Sequence, residues 1–179
     1  MLCGITSFLV DSPPESTILK SVIAANQVIV RTFAEADAPA VSQLIIANLL
    51  LVNSRDYGQD AVQQLARFYS PELLLEYART ADTFVAVQGT AIIGTATLDQ
   101  DRVRNVFVHM DHHQQGIGRL LMCTLEELAC RRGQPRLILY ASLAAVDFYQ
   151  KLGYRTVAEV EDPVGEASIR VVVMEKILS

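Results

Sequence analysis

A chain of 179 residues is the size of one compact domain and long enough to bury a sizeable core. At 51% hydrophobic and 20% charged residues it is too apolar for a disordered protein. No apolar run approaches the ~20 residues of a membrane span, so a soluble protein with no membrane partner is expected. The net charge of -5, with Lys and Arg scattered, argues against a duplex-binding surface, and no nucleic-acid partner is expected.

The opening "MLCGITSFLVDSPPES" has an apolar patch but no basic n-region and no cleavage site, so export is not expected. Cys3, Cys123 and Cys130 make no even framework. The last two fall in a helical stretch and read as small buried hydrophobes, which suits a reducing cytoplasm. Residues 1–26 are read as an N-terminal extension and 27–179 as the domain.

From Gln27, "QVIVRTF" predicts a strand. Asp37 followed by Pro39 predicts a helix start, the carboxylate accepting from orphan amides and proline sitting in the first turn. Val41, Leu44, Ile45 and Leu49 then repeat at helical spacing. "DAVQQLARFY" is helical in pattern, and Ser70 with Pro71 gives another start. "TFVAVQGTAIIGTATLDQD" reads as two hairpin-connected strands and "RVRNVFVHM" as a third. In "GRLLMCTLEELACRRG", Ile117, Leu120, Leu121, Leu125 and Leu128 line one helix face, Glu126, Glu127 and Arg131 another, and Gly133 supplies the stop. "PRLILYAS" is a short buried run. "LAAVDFYQKLGY" places Ala145, Phe148, Tyr149 and Leu152 on one helical face, and two strands close the chain around "DPVGE". The order is a strand and two helices, three strands, a helix, a strand, a helix and two strands, a mixed α/β sheet.

A strand that runs into Gly-x-Gly and then a helix suits phosphate, because the free amides of the first turn point at the anion. Here Gly116 and Gly118 open the helix. A dinucleotide turn is disfavoured, since Leu121 stands where a third small residue is needed and no acidic residue ends the next strand. A Walker loop is excluded by the lack of Gly-Lys-Ser or Gly-Lys-Thr. His109, His112 and His113, with Asp111, raise a metal site as a rival. A strand exit splays His109 from the others and no fourth ligand is evident, so no metal is expected and His109 and His112 read as polar loop residues.

"VFVHMDHHQQGIGRLLM" followed by "LYASLAAVDFYQKLGY" resembles the two signature segments of the GNAT superfamily of acetyl-CoA-dependent N-acetyltransferases. The resemblance extends to "VIVRTFAEADAPAVSQLI" and "TFVAVQGTAIIGTATL" and covers about Val28 to Leu178. It implies a mostly antiparallel central sheet flanked by helices, splayed at two central strands. The implied co-substrates are acetyl-CoA and an amine acceptor, a small molecule, a protein N-terminus or a lysine. Oligomeric state is left open, a homodimer included.

The resemblance also implies the site. The strand Val106, Phe107, Val108 would carry a bulge, splay from Leu137–Tyr140 and offer backbone amides to pantetheine and the thioester carbonyl. His113, Gln114, Gln115, Gly116, Ile117, Gly118 and Arg119 would form the diphosphate loop. His113 stands where the family has Arg or Gln, and a protonated imidazole there would add a charge-assisted contact. Phe148 and Ser142 fall in the cofactor-binding segment, although Ser142 is equally placed to cap a helix. Tyr149 matches the tyrosine that protonates the departing thiolate; its alternative role is apolar packing in the helix. Many relatives place a Glu on the central strand as base, where this chain has Arg104 and Asn105. Asp99, Asp101, His109 or a water chain remain candidates. "LVNSRDYGQD", with Asp56, Tyr57 and Asp60, and "EDPVGEAS" are expected on the amine side. A non-catalytic acyl-CoA-binding module is the alternative.

Overall fold

Runs rich in Val, Ile and Thr, broken by Gly89, Gln100 and Gly165 at positive φ, fold into one eight-stranded sheet. The computed structural model describes residues 21–23, 28–53, 59–165 and 167–178. Its strands are β1 (Ser21–Ile23), β2 (Val28–Thr32), β3 (Asp82–Gln88), β4 (Ala91–Asp99), β5 (Arg102–Val108), β6 (Arg136–Ser142), β7 (Arg155–Val164) and β8 (Ala167–Ile177). They lie in the order β1-β2-β3-β4-β5-β6-β8-β7, antiparallel except for β5 beside β6. The helices are α1 (Ala38–Asn48), α2 (Gln59–Arg67), α3 (Pro71–Ala78), α4 (Ile117–Arg131) and α5 (Val146–Lys151). β1, upstream of position 27, pairs with β2 as the edge of the sheet.

Strand alternation sends two sets of side chains to opposite faces. On one, Val30, Ala86, Ala96 and Leu98 pack against Leu121, Leu125 and Tyr149 of α4 and α5. On the other, Val85 and Phe107 meet Val41, Leu44 and Ile45 of α1, Val62 of α2 and Leu74 of α3. A third cluster joins Ala61 of α2 to Val164, Ile169 and Val171 of the β7–β8 hairpin, and brings that hairpin over the α2 side of the molecule.

Several expectations are refined. The second helical stretch divides at Ser70, whose hydroxyl accepts from Leu73 N–H at 3.4 Å and starts α3 separately from α2. Asp37 does not cap α1 through its side chain. Its carboxylate instead turns back to the Ala34 amide at 2.8 Å and to Arg31 at 2.6 and 2.8 Å, because a bidentate guanidinium outcompetes a single orphan amide. Glu126 lies half-buried rather than on the solvent face, held by Lys176 at 2.7 Å. Neither cysteine of α4 is fully buried: Cys123 is intermediate and Cys130 exposed.

Candidate active site

Parallel pairing between β5 and β6 joins only Arg102 to Ile138 and Val103 to Leu139. Beyond Val103 the two strands part. The cause lies on the other edge of β5, where the register against β4 shifts so that Asn105 and Val106 together oppose Ala96. Asn105 takes φ +54°, a left-handed conformation that Asn tolerates better than most side chains. The bulge expected in Val106–Val108 thus sits at the front of that segment. It turns β5 away and opens a V-shaped slot.

The backbone of β5 is poised along this slot. His109 N–H donates to Ile93 of β4 at 2.8 Å, so by strand alternation Phe107 also faces β4 while the peptide groups of Val106 and Val108 face the slot. A slot of this kind offers amide donors and acceptors to an extended ligand, and a donor aimed at a developing oxyanion is worth about 2.7–4 kcal/mol.

At the wide end the chain turns into α4. Gln114 has φ +61° and Gly116, the residue before the helix, φ +83°. Leu120 N–H is the first amide of α4 to find a helical carbonyl, that of Gly116. The amides from Gln114 to Arg119 donate to no backbone carbonyl among the described residues, and they lie at the N-terminal, positive end of a 15-residue helix. These residues fit a diphosphate. Gly118 has a different reason: a Cβ there would lie 3.0 Å from Phe148 Cζ, so the glycine admits the ring of Phe148 and locks α5 against α4. His113 does not point its Nε2 into this cradle. That atom lies 2.9 Å from the Val108 carbonyl.

Tyr149 is 7% exposed, its ring edge-on to Phe148 at 5.0 Å and to Tyr154 at 5.8 Å. Burial pushes its phenol well above the ordinary tyrosine value, which favours the protonated form. Ser142 precedes the 3-10 turn Leu143–Ala145 without capping it through its side chain.

Residues 53–178 match the model of the acetyltransferase (GNAT) domain. The chain belongs to this family. It is 37% identical over 73 residues to glucosamine 6-phosphate N-acetyltransferase of Schizosaccharomyces pombe, a stretch covering 35% of this chain and 66% of that protein. It is also 37% identical over 60 residues to an uncharacterized N-acetyltransferase, YjcF, of Bacillus subtilis, covering 34% and 43%. The chain therefore spans less than two thirds of the length of either curated relative. Among solved structures, the GCN5-related N-acetyltransferase from Rhodopseudomonas palustris superposes with a TM-score of 0.80 at 22% identity, over 91% of this chain and all of that one. The PaiA N-acetyltransferase from Thermoplasma acidophilum, solved in complex with coenzyme A, superposes with a TM-score of 0.70 at 18% identity, over 84% and 99%.

Across the GNAT sheet from α4, a cavity with room for about one water lies beneath the bulge. Its walls include Phe33, Leu74, Tyr77, Thr83, Thr97 and Asn105. Thr83 and Thr97 hydroxyls pair across it at 3.0 Å. Tyr77 Oη donates to Asp99 at 3.1 Å, and Arg104 Nε approaches the same carboxylate oxygen at 3.4 Å. Burial foremost pushes the Tyr77 phenol up to about 12. Asp99, one of the expected base candidates, is thus tied to both an acid and a cation. His109 uses Nδ1 to accept from the Asp111 amide at 3.3 Å. Among the described residues no group of three His, Cys, Asp or Glu side chains is placed to hold a metal; His109 and His112 instead meet edge-on at 5.8 Å.

Of the expected amine-side residues, Asp60 is exposed on α2, whereas Asp56 and Tyr57 lie outside the described residues. The wall of Tyr77 and threonines on this GNAT face escaped the sequence reading because its members come from α3, β3 and β4 with no common spacing. One signal was present: an asparagine inside the β-branched run "RVRNVFV" marks a position that resists regular pairing.

Proposed function

We propose that this protein moves acetyl from acetyl-CoA to a primary amine by direct attack in a ternary complex. The observation that carries the reading is the continuity of the β5–β6 slot with the unpaired amides from Gln114 to Arg119. Val106, Phe107 and Val108 would flank pantetheine and acetyl. Gln114, Gln115, Gly116, Ile117, Gly118 and Arg119 would hold the diphosphate through main-chain nitrogens. Phe148 would form a wall of the slot, and Ser142, free of a capping role, supports a polar contact beside it. The bound thioester supplies an activated acyl carbon.

Tyr149 is the general acid in this reading. As the amine nitrogen bonds to the acyl carbon and the carbon–sulfur bond breaks, the phenol proton passes to the departing thiolate. The raised phenol is a weaker acid than a thiol of ordinary pKa near 8.5, so the transfer is coupled to loss of the amine nitrogen's proton, which passes through water to the phenolate and restores Tyr149. The acceptor would approach beside Tyr77 and Asn105, with Thr97 buried behind them. The relative from fission yeast acetylates a phosphorylated amino sugar by name, which keeps small amines among the acceptors to try first. An exposed thiol at Cys130 is consistent with a reducing cytoplasm.

The second reading is a non-catalytic acyl-CoA-binding module, favoured by Arg104 and Asn105 standing where a basic carboxylate would be expected. Turnover of acetyl-CoA across a panel of small amines and peptide N-termini separates the two. The enzyme reading requires consumption with at least one amine, and a Tyr149→Phe loss in kcat of roughly 10²–10⁴ with little change in acetyl-CoA affinity. A variant equal to wild type removes the acid assignment.

A further inference from the structure

We infer that His113 is a positioning residue: its imidazole Nε2–H donates to the Val108 carbonyl and so holds the diphosphate loop open toward the anion. The inference rests on the acetyl-CoA reading above and assigns His113 a role different from a charged contact. A carbonyl oxygen only accepts, so the 2.9 Å approach of Nε2 requires the proton on that nitrogen. A neutral ring in that tautomer suffices.

The geometry gives the bond two consequences. Val108 faces the slot by strand alternation, so its carbonyl is the last acceptor on the β5 edge before the chain turns. With His113 upon it, an extended ligand has the Val106 amide and carbonyl and the Val108 amide to pair with, and must leave the strand there, at the mouth of the loop. The second consequence concerns the loop itself. It contains two left-handed residues, Gly116, which adopts that backbone freely, and Gln114, which adopts it only at a steric cost. Bonds within the turn offset that cost: His113 ring to Val108, Gln115 Nε2 to the Asp111 carbonyl at 3.0 Å, and His113 N–H to the Met110 carbonyl at 3.1 Å. The front amides stay unsatisfied and already aimed. Binding then requires little ordering of the loop, which is the usual advantage of a preformed site.

The test uses the full chain and measures coenzyme A affinity by calorimetry for wild type, His113→Ala and His113→Gln, with melting temperatures recorded without ligand. Losing one net hydrogen bond predicts a roughly two- to tenfold weaker coenzyme A complex for His113→Ala. His113→Gln, a neutral N–H donor, should bind within about twofold of wild type. Equal affinity of His113→Ala and wild type overturns the inference, and so does a His113→Gln loss as large as that of alanine, which would mean the imidazole acts by charge. Nitrogen NMR of the wild-type ring at pH 8 gives an answer independent of how the variants fold. A neutral Nε2–H tautomer is expected, and an Nδ1–H tautomer overturns the assignment. Failure of wild type to bind coenzyme A at all would instead refute the acetyl-CoA reading.

Discussion

Gly116 and Gly118 belong to one short motif but are glycine for unlike reasons. Gly116 needs a left-handed backbone; Gly118 needs empty space for Phe148. Gly118→Ala would place a methyl 3.0 Å from the ring edge, and the ring is itself wedged beside Tyr149. Overpacking of this kind costs about 1–3 kcal/mol. The variant should therefore melt several degrees lower and lose acetyl-CoA turnover as α5 tilts Tyr149 out of line. A melting curve that overlays wild type would show that α5 yields without penalty. The pattern Gly-x-Gly was legible in the chain, and so was its helix. The division of labour was not, because a ring arriving from 30 residues downstream has no local signature.

At the level of elements, the entry into α1 shows how a familiar signal can be used differently. Asp37 is nearly buried, and burial alone would raise its carboxyl pKa. The bonds from Arg31 and Ala34 and the Arg31 charge outweigh this and hold it below the ordinary carboxylate value. A depressed folded-state pKa means the stabilisation is complete above the unfolded Asp value near 4 and is lost as pH falls through the folded one. Asp37→Asn should destabilise the protein by about 1–3 kcal/mol at pH 7, toward the lower end because Arg31 is partly exposed. It should also flatten the decline in urea midpoint below pH 4. An unchanged acid limb would mean that another carboxylate governs it. Asp-x-Pro announced the helix correctly, yet Arg31, six residues earlier on β2, redirected the side chain.

For the molecule as a whole, the splay of β5 from β6 places the slot in the middle of the sheet, roofed by helices on both faces. A ligand that binds such a native site raises stability by mass action, about 2.7 kcal/mol at 100 times its dissociation constant. For a chain of this length that corresponds to a rise of roughly 5–10 °C in melting temperature. Acetyl-CoA at saturating concentration should produce it, whereas NAD and Zn²⁺ should not. A shift with Zn²⁺ and none with acetyl-CoA would restore the histidine cluster as a metal site.

Period and punctuation in the amino-acid order were enough to determine the seven strands from β2 onward, the long amphipathic α4, the glycine turn before it and the match of two signature segments, since each depends on residues a few positions apart; β1, in the stretch read as an extension, was not among them. Tertiary structure alone decided that Asn105 carries the bulge, that Glu126 meets Lys176 instead of water, that Thr83 pairs with Thr97 and Tyr77 with Asp99, and that His113 turns toward Val108. Most of these contacts join separate elements, and His113 reaches back across its own turn. Side-chain partners brought together by folding are set by distances in space that the spacing along a chain does not encode.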